Sequence, residues 1–171
     1  MGLGGYLKGY LGRIHRLELG VHSFDNVLSS FQEMTNLQDT SKLYGRHGIL
    51  GNILLSRFRI IIDYPGAKLY LRPIKKYNKG FKFDKSGLGI IAVGENLKTY
   101  EVNYIIPGSP ADLAGMQKGD IIKKVNFFGS SMLGLADVVR ILQRREGKRI
   151  KMVVHRNGKK MKFLFRLKTL I

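Results

Sequence analysis

The stretch YIIPGSPADLAGMQKGDIIKKVN, residues 104–126, decides how the centre of this chain folds. Its β-branched start predicts a strand that Pro107-Gly108 ends. Ser109 suits the cap position of a short helix, and Pro110 suits the first helical position, where a missing N–H costs nothing. Gly115 can take the left-handed conformation that ends a helix. The turn at Gly119-Asp120 then leads into a second strand, so the stretch predicts a strand-helix-strand unit.

The order of small residues in this unit goes beyond what an anonymous strand-helix-strand unit requires. Pro-Gly, Ser-Pro-Ala, Ala-Gly and Gly-Asp-Ile-Ile follow one another at short intervals. Their arrangement resembles the centre of a bacterial-type PDZ domain. That resemblance implies a peptide-binding module over residues 76–171. The alternative is a strand-helix-strand unit unrelated to that domain, in which the same small residues would have to occur in this order by chance.

Upstream, Gly87-Leu88-Gly89-Ile90 resembles the PDZ loop that binds a peptide carboxylate. Successive N–H groups of Leu88, Gly89 and Ile90 could point into one concavity and bind an anion. A peptide could then run antiparallel along residues 90–93, adding a strand to the sheet. An ordinary Gly-Leu-Gly turn is the alternative.

The opposite wall of the groove is expected from a helix over residues 135–145, where apolar residues recur at helical spacing. The predicted groove residues are Ile91, Val93, Leu135, Val139 and Leu142. Such an apolar stripe favours a ligand with an apolar C-terminal residue. Alternatively, each of the helical residues Leu135, Val139 and Leu142 could pack on the sheet.

Residues 1–75 are rich in β signals. Alternation at Leu17 and Leu19 predicts a strand, followed by a turn near residues 23–26 and a second strand at 27–31. Asn52 could cap a short helix. Residues 59–71 predict a hairpin whose Pro65-Gly66 suits a type II turn, with glycine supplying a positive φ.

The order of these pieces resembles the later half of a retroviral-type aspartyl protease lobe. The residues that carry the resemblance are Gly4-Gly5, Gly9, Gly12, Leu19-Gly20, Gly48-Ile49-Leu50-Gly51, Leu54-Leu55, Phe58, Ile61-Ile62-Asp63-Tyr64 and Leu69-Tyr70-Leu71. With a PDZ domain after it, the layout resembles the C-terminal part of a bacterial aspartyl protease. The family resemblance implies an extracytoplasmic location.

The catalytic motif of that family is missing from the sequence. Aspartyl proteases need two carboxylates about 3 Å apart, and the family takes each from an Asp-Thr/Ser-Gly loop. The nearest string, Asp39-Thr40-Ser41, lacks the glycine and a preceding apolar strand, and Asp63 is expected to be a hairpin residue. We therefore predict no catalytic residue and no cleavage by this chain alone.

Composition narrows the remaining function classes. Cysteine is absent, and the four histidines are scattered, so we predict neither a metal site nor a cofactor. No apolar run is long enough to cross a membrane. The formal net charge of +18 is concentrated after Arg140, where basic and apolar residues alternate as in an amphipathic hairpin. Nucleic-acid binding is therefore less favoured than a solvated basic face.

The predicted fold is mostly β with short helices. A partial aspartyl-protease-like β lobe, residues 1–75, precedes a PDZ-like β-sandwich or partial barrel capped by two helices, residues 76–171. Three functions remain open: the peptide-binding end of an aspartyl protease, a non-enzymatic peptide-binding adaptor, and a basic nucleic-acid or anionic-surface binder. Unpaired strand edges in the first segment also predict homodimerisation.

Overall fold

A computed structural model describes residues 9–32 and 48–171 of the chain. Its internal contacts divide the chain into two compact units, residues 1–81 and 82–171. Gly4, Gly5 and the Asp39-Thr40-Ser41 string fall outside the described residues. The assignment of residues 1–75 to a protease lobe stays a prediction.

The first unit begins with a long antiparallel hairpin of β1 (Gly9–Leu19) and β2 (His22–Gln32). Leu19 faces His22 in the register, so the turn is the two-residue Gly20-Val21. Gly20 has a φ of +58°, the conformation that tight hairpin turns require at their first central position. The predicted turn near residues 23–26 is therefore wrong, since those residues continue β2.

A second hairpin follows a single helical turn. Helix α1 (Asn52–Leu55) precedes β3 (Phe58–Asp63), which pairs with β4 (Lys68–Pro73). Gly51, rather than Asn52, caps α1, and no side-chain hydrogen bond is involved.

The predicted turn type of this hairpin is also wrong. The left-handed residue is Ala67, with a φ of +49°, and not Gly66. Gly66 instead lies against the Asp63 carboxylate, whose Oδ1 accepts a hydrogen bond from the Gly66 N–H at 3.0 Å. A β-carbon on Gly66 would lie only 2.3 Å from Asp63 Oδ2, so the glycine provides space rather than a positive φ.

An aromatic core holds the first unit together. Its buried members are Phe24, Val27, Leu54, Phe58 and Phe81. Phe81 and Phe83 alternate with polar residues in a way typical of a strand, but neither lies in one. Phe81 packs edge-on against Phe24. The chain after residue 75 therefore still contributes to the first core.

The second unit is built on one six-stranded antiparallel sheet. Its strands are β5 (Leu88–Val93), β6 (Thr99–Ile105), β7 (Ile121–Val125), β8 (Phe128–Gly129), β9 (Arg149–Arg156) and β10 (Lys159–Arg166). The order is β10-β9-β7-β6-β5, and the short β8 pairs with β7. Two helices complete the unit, α2 (Pro110–Leu113) and α3 (Leu135–Leu142).

The central stretch folds as its residues predict. Ser109 caps α2 by accepting a hydrogen bond from the Asp112 N–H, and Pro110 occupies the first turn. Gly115 has a φ of +85° where the helix ends. The helix thereby returns the chain to β7 in the middle of the sheet.

The basic C-terminal hairpin is amphipathic, as expected. Ile150, Met152 and Val154 of β9 are fully buried, whereas the alternate residues Arg149 and Lys151 are exposed. Asn157 and Gly158 form the turn, both with positive φ, which is the requirement of a type I′ hairpin turn. The charge of this region therefore lies on the wet face of a sheet whose other face is core.

Two absences hold for residues 9–32 and 48–171. No three His, Asp or Glu side chains there lie close enough together to bind a metal ion. No helix in the same ranges has the length and apolarity needed to span a membrane.

Candidate functional site

The terminal strand of the second sheet offers a place for another strand. β5 ends the sheet order and pairs with β6 alone in that order. Alternate residues of such a strand direct their N–H and C=O groups away from the sheet. Helix α3 contacts β5, so the free edge runs beside a helix. An extended peptide could therefore lie between β5 and α3.

The side chains of β5 alternate between two faces. Ile90 and Ala92 are partly buried and pack against the hydrophobic core. Ile91 is 39% exposed and, by alternation, points with Val93 to the opposite face. Burial and alternation therefore favour Ile90 and Ala92 for the α3 side of β5, rather than the predicted groove residues Ile91 and Val93.

Helix α3 turns most of its apolar stripe into the core. Leu142 is 1% exposed and Val138 is fully buried, so Leu142 packs the sheet and cannot meet a ligand. Leu135 is partly buried against the same core. Val139 is also partly exposed, which makes Leu135 and Val139 the predicted groove residues that α3 leaves accessible.

The loop before β5 already holds a carboxylate. Asp84 Oδ1 accepts hydrogen bonds from three successive backbone N–H groups and from one hydroxyl: Ser86 N at 2.9 Å, Gly87 N at 2.6 Å, Leu88 N at 3.3 Å and Ser86 Oγ at 2.8 Å. The Leu88 N–H also lies 3.2 Å from Ser86 Oγ. The Leu88 amide, predicted to bind a peptide carboxylate, is therefore taken by partners within the loop.

Tyr104, the neighbour of Gly89 on β6, restricts both the space around Gly89 and the direction of its N–H group. A β-carbon at Gly89 would lie about 2 Å from the Tyr104 ring, whose Cε1 atom is 1.9 Å away, so the ring covers the glycine. The Gly87 carbonyl accepts a hydrogen bond from the Ile106 N–H. By the alternation of an antiparallel ladder, Gly89 then directs its N–H towards its register partner Tyr104. Of the three predicted amides, Ile90 is left as the candidate on the free edge.

The loop is held by contacts to both helices. The Ser86 carbonyl accepts from Ala111 N, and Lys85 N donates to the Leu142 carbonyl. Ser86 is fully buried. Gly87 has a φ of +85°, and a β-carbon there would lie 2.1 Å from Ser109 Oγ. These contacts fix the direction of the loop amides.

Two opposing effects act on the Asp84 carboxyl. Burial raises its pKa, because the charged form loses hydration. The hydrogen bonds from Ser86, Gly87 and Leu88 act in the other direction and are the smaller effects. Four donors on one oxygen match a carboxylate, which is an acceptor on both oxygens.

Sequence reasoning missed Asp84. Its signal was present in Asp84-Lys85-Ser86, since an Asp side chain commonly accepts from backbone N–H groups two and three residues ahead. That local signal predicts a turn, but it does not show which loop N–H groups remain available to a ligand.

Residues 101–156 match the family model of the PDZ domain. The second unit therefore contains a PDZ domain, as the central stretch predicts. A comparison with curated proteins found no match.

Solved structures of proteases are similar to the chain. The HtrA-type protease AlgW, solved with a decapeptide, is 20% identical with a TM-score of 0.51, and the match covers 67% of this chain and 42% of that one. The photosystem II D1 C-terminal processing protease is 27% identical, with a TM-score of 0.47 and coverages of 52% and 24%. The HtrA3 PDZ domain bound to the phage-derived ligand FGRWV is 20% identical, with a TM-score of 0.42 and coverages of 52% and 86%.

The chain spans less than half the length of the two whole proteases. The HtrA-type match supports the fold. The matched structures do not confirm an aspartyl-protease-like lobe.

Proposed function

We propose that the PDZ domain binds extended peptide segments by strand addition to β5, with α3 as the opposite wall. The observation that carries this proposal is the terminal position of β5 beside α3. Main-chain hydrogen bonds to the free edge would supply affinity, and side-chain pockets would supply selectivity.

The chemistry of the groove indicates apolar ligand side chains. Ile90 and Ala92 supply the strand side, and Leu135 and Val139 supply the helix side. The structurally similar AlgW was solved with a decapeptide, which supports a peptide as the class of ligand.

Charge does not argue for nucleic acid as the ligand of this groove. The basic side chains of β9 and β10 lie at the other end of the sheet order from β5. Among those side chains, Arg156 is engaged by Asp120.

A more specific proposal is that this PDZ domain belongs to an aspartyl protease. Its support is the resemblance of residues 1–75 to an aspartyl protease lobe, together with the strand-hairpin order of β1 to β4. An Asp-Thr-Gly-type loop encoded upstream of Met1 would support it, and a stop codon there would support the adaptor instead. An extracytoplasmic location rests on the same resemblance.

The experiment is a titration of the full chain with a fluorescein-labelled ten-residue peptide of alternating valine and threonine. Amide chemical shifts of β5 and α3 are recorded in parallel at about 150 mM salt, which screens the basic surface. We expect saturable shifts on both elements.

Val139→Asp tests the groove, because a carboxylate in an apolar groove loses hydration without gaining a partner. We expect affinity to fall at least about tenfold. The matched control is Leu164→Asp on β10, where the replaced leucine is 53% exposed. Equal losses for both variants, or shifts confined to β9 and β10, would reject the proposed site.

A further inference from the structure

The amide cradle before β5 lies where the end of a bound peptide would arrive. A peptide that adds antiparallel to β5 runs in the opposite direction, so its C-terminal end meets the N-terminal end of β5 at Leu88. Ser86, Gly87 and Leu88 supply the N–H groups at that point, and all three donate to Asp84 Oδ1.

We propose that the Asp84 side chain occupies the anion-binding position that a ligand's terminal carboxylate would otherwise take, so that the groove accepts peptide segments without a free C-terminus. The inference rests on the proposed strand addition to β5. It names the ligand class as internal or end-blocked segments rather than chain ends.

The first support is geometric, because the N–H groups of the loop already donate hydrogen bonds to Asp84. One oxygen collects the three amides at 2.6 to 3.3 Å, with the Ser86 hydroxyl as a fourth donor. A second carboxylate arriving at Leu88 would find its nearest N–H engaged. It would also meet the charge of Asp84 at close range, where like charges repel.

Rigidity is the second support. The loop amides cannot turn to offer an arriving carboxylate a second set of donors, so it would have to displace Asp84 from all four donors. The Ser86 carbonyl is bound to Ala111 N, and the Gly87 carbonyl is bound to Ile106 N. Gly87 is packed so closely on Ser109 that a β-carbon would not fit. Since the peptide planes are held from their carbonyl sides, their N–H groups stay on Asp84.

The ladder supplies the third support. Gly89 directs its N–H towards Tyr104 rather than towards the free edge, as its register and the Gly87–Ile106 hydrogen bond imply. One amide, that of Ile90, is left for a ligand end. A single N–H makes a strand contact, whereas a carboxylate site needs several converging donors.

The test compares the alternating valine-threonine peptide as a free acid with the same peptide carrying a C-terminal amide. For the unaltered chain we expect dissociation constants that agree within about twofold. We also expect the amide shifts of Gly87 and Leu88 to be the same for both peptides. A free-acid preference of about tenfold, the effect of one charge-assisted hydrogen bond, would overturn the proposal.

Two variants ask whether Asp84 is the cause. Asp84→Ala removes the internal acceptor and its charge, and should raise the free-acid preference to about tenfold or more. Asp84→Asn keeps an acceptor oxygen without the charge and should give a smaller preference. Glu95→Gln is the matched control, because it removes an exposed carboxylate of the same domain outside the loop.

The outcomes separate the two proposals. If neither peptide form shifts β5, strand addition itself fails. Suppose that both peptide forms bind and that Asp84→Ala has the far-ultraviolet spectrum of a folded chain. If this variant then binds the free acid and the amide equally well, the Asp84 assignment is overturned while strand addition stands. Should Asp84→Ala fail to fold, Asp84→Asn decides in the same way: no gain in free-acid preference overturns the assignment.

Discussion

Arg156 on β9 holds Asp120, the aspartate of the Gly-Asp-Ile-Ile motif, through two hydrogen bonds. Arg156 Nε lies 2.7 Å from Oδ1, and a second guanidinium nitrogen lies 2.8 Å from Oδ2. Asp120 is fully buried, and the Gln117 N–H also donates to its Oδ2. Asp120 in turn raises the pKa of Arg156. The motif is therefore structural, because it joins the turn before β7 to β9.

Removing the arginine should leave a buried carboxylate without its charge partner. We expect Arg156→Ala to lower the free energy of unfolding by about 3–5 kcal/mol, measured by urea denaturation. Arg156→Lys should recover part of that loss, since an ammonium keeps the charge but not the two-pronged geometry. A loss below about 1 kcal/mol for Arg156→Ala would show that the pair contributes little to stability.

The contact between Gly89 and Tyr104 predicts a coupled pair. Gly89→Ala places a β-carbon where the Tyr104 ring now lies, and the ring, 51% exposed, has to swing away. Gly89→Ala should therefore destabilise the chain more with Tyr104 present than in a Tyr104→Ala background, by about 0.5–3 kcal/mol of coupling free energy. Additive effects in the double-mutant cycle would contradict the contact.

The same pair changes the interpretation of a Gly89 substitution as a test of ligand binding. If Gly87-Leu88-Gly89-Ile90 bound a peptide carboxylate, a bulky residue at Gly89 would be expected to abolish peptide binding and leave the fold largely intact. In the structure the first effect of such a residue is on the Tyr104 ring. Binding has therefore to be compared at matched stability.

Asp84 should make the stability of the second unit depend on pH. Because burial raises its folded-state pKa above the unfolded value, the folded chain binds the proton more tightly. Its contribution to stability is full below the unfolded pKa and is lost as the pH rises through the folded pKa. From about pH 3 to about pH 7, the unaltered chain should lose stability relative to Asp84→Asn. An opposite slope would mean that the amide hydrogen bonds outweigh burial.

Arg57 should be the corresponding sensitive residue of the first unit. Its guanidinium donates to the carbonyls of Lys76, Tyr77 and Lys79 and lies 3.8 Å from the centre of the Phe81 ring. We expect Arg57→Ala to cost on the order of 3 kcal/mol, because several charge-assisted contacts are lost together. Arg57→Lys keeps a charged donor but loses the planar guanidinium that lies over the Phe81 ring, and should restore less than half of the loss. Wild-type stability for Arg57→Ala would refute this role.

The β3–β4 hairpin provides a test of the predicted self-association. Ile61 faces Tyr70 in the register, and both are more than half exposed. Replacing both with threonine keeps β propensity while removing apolar area, and should weaken any dimer seen by sedimentation velocity. The control is Val21→Thr in the turn of the first hairpin. A chain that is monomeric at every concentration tested would contradict the predicted self-association.

Local residue chemistry determined the turns, caps and strand alternation of the second unit. Ser109-Pro110, Gly115 and Asn157-Gly158 each act through a backbone requirement that their own side chains set, so their roles follow from the sequence. The amphipathic β9–β10 hairpin follows from period-2 alternation in the same way. The PDZ domain was indicated separately, by the resemblance of residues 104–126 to the centre of that domain.

The tertiary structure decided which groups remain free for a ligand. The sequence alone places Leu142 and Val139 on one apolar stripe, but only packing buries the first and leaves the second accessible. The three loop amides look equally available in the sequence. Their use depends on the Asp84 side chain, four residues before Leu88, and on the N–H groups of Ala111 in α2 and Ile106 after β6, which hold the loop carbonyls. Hydrogen bonding is decided by distance and direction in the folded chain.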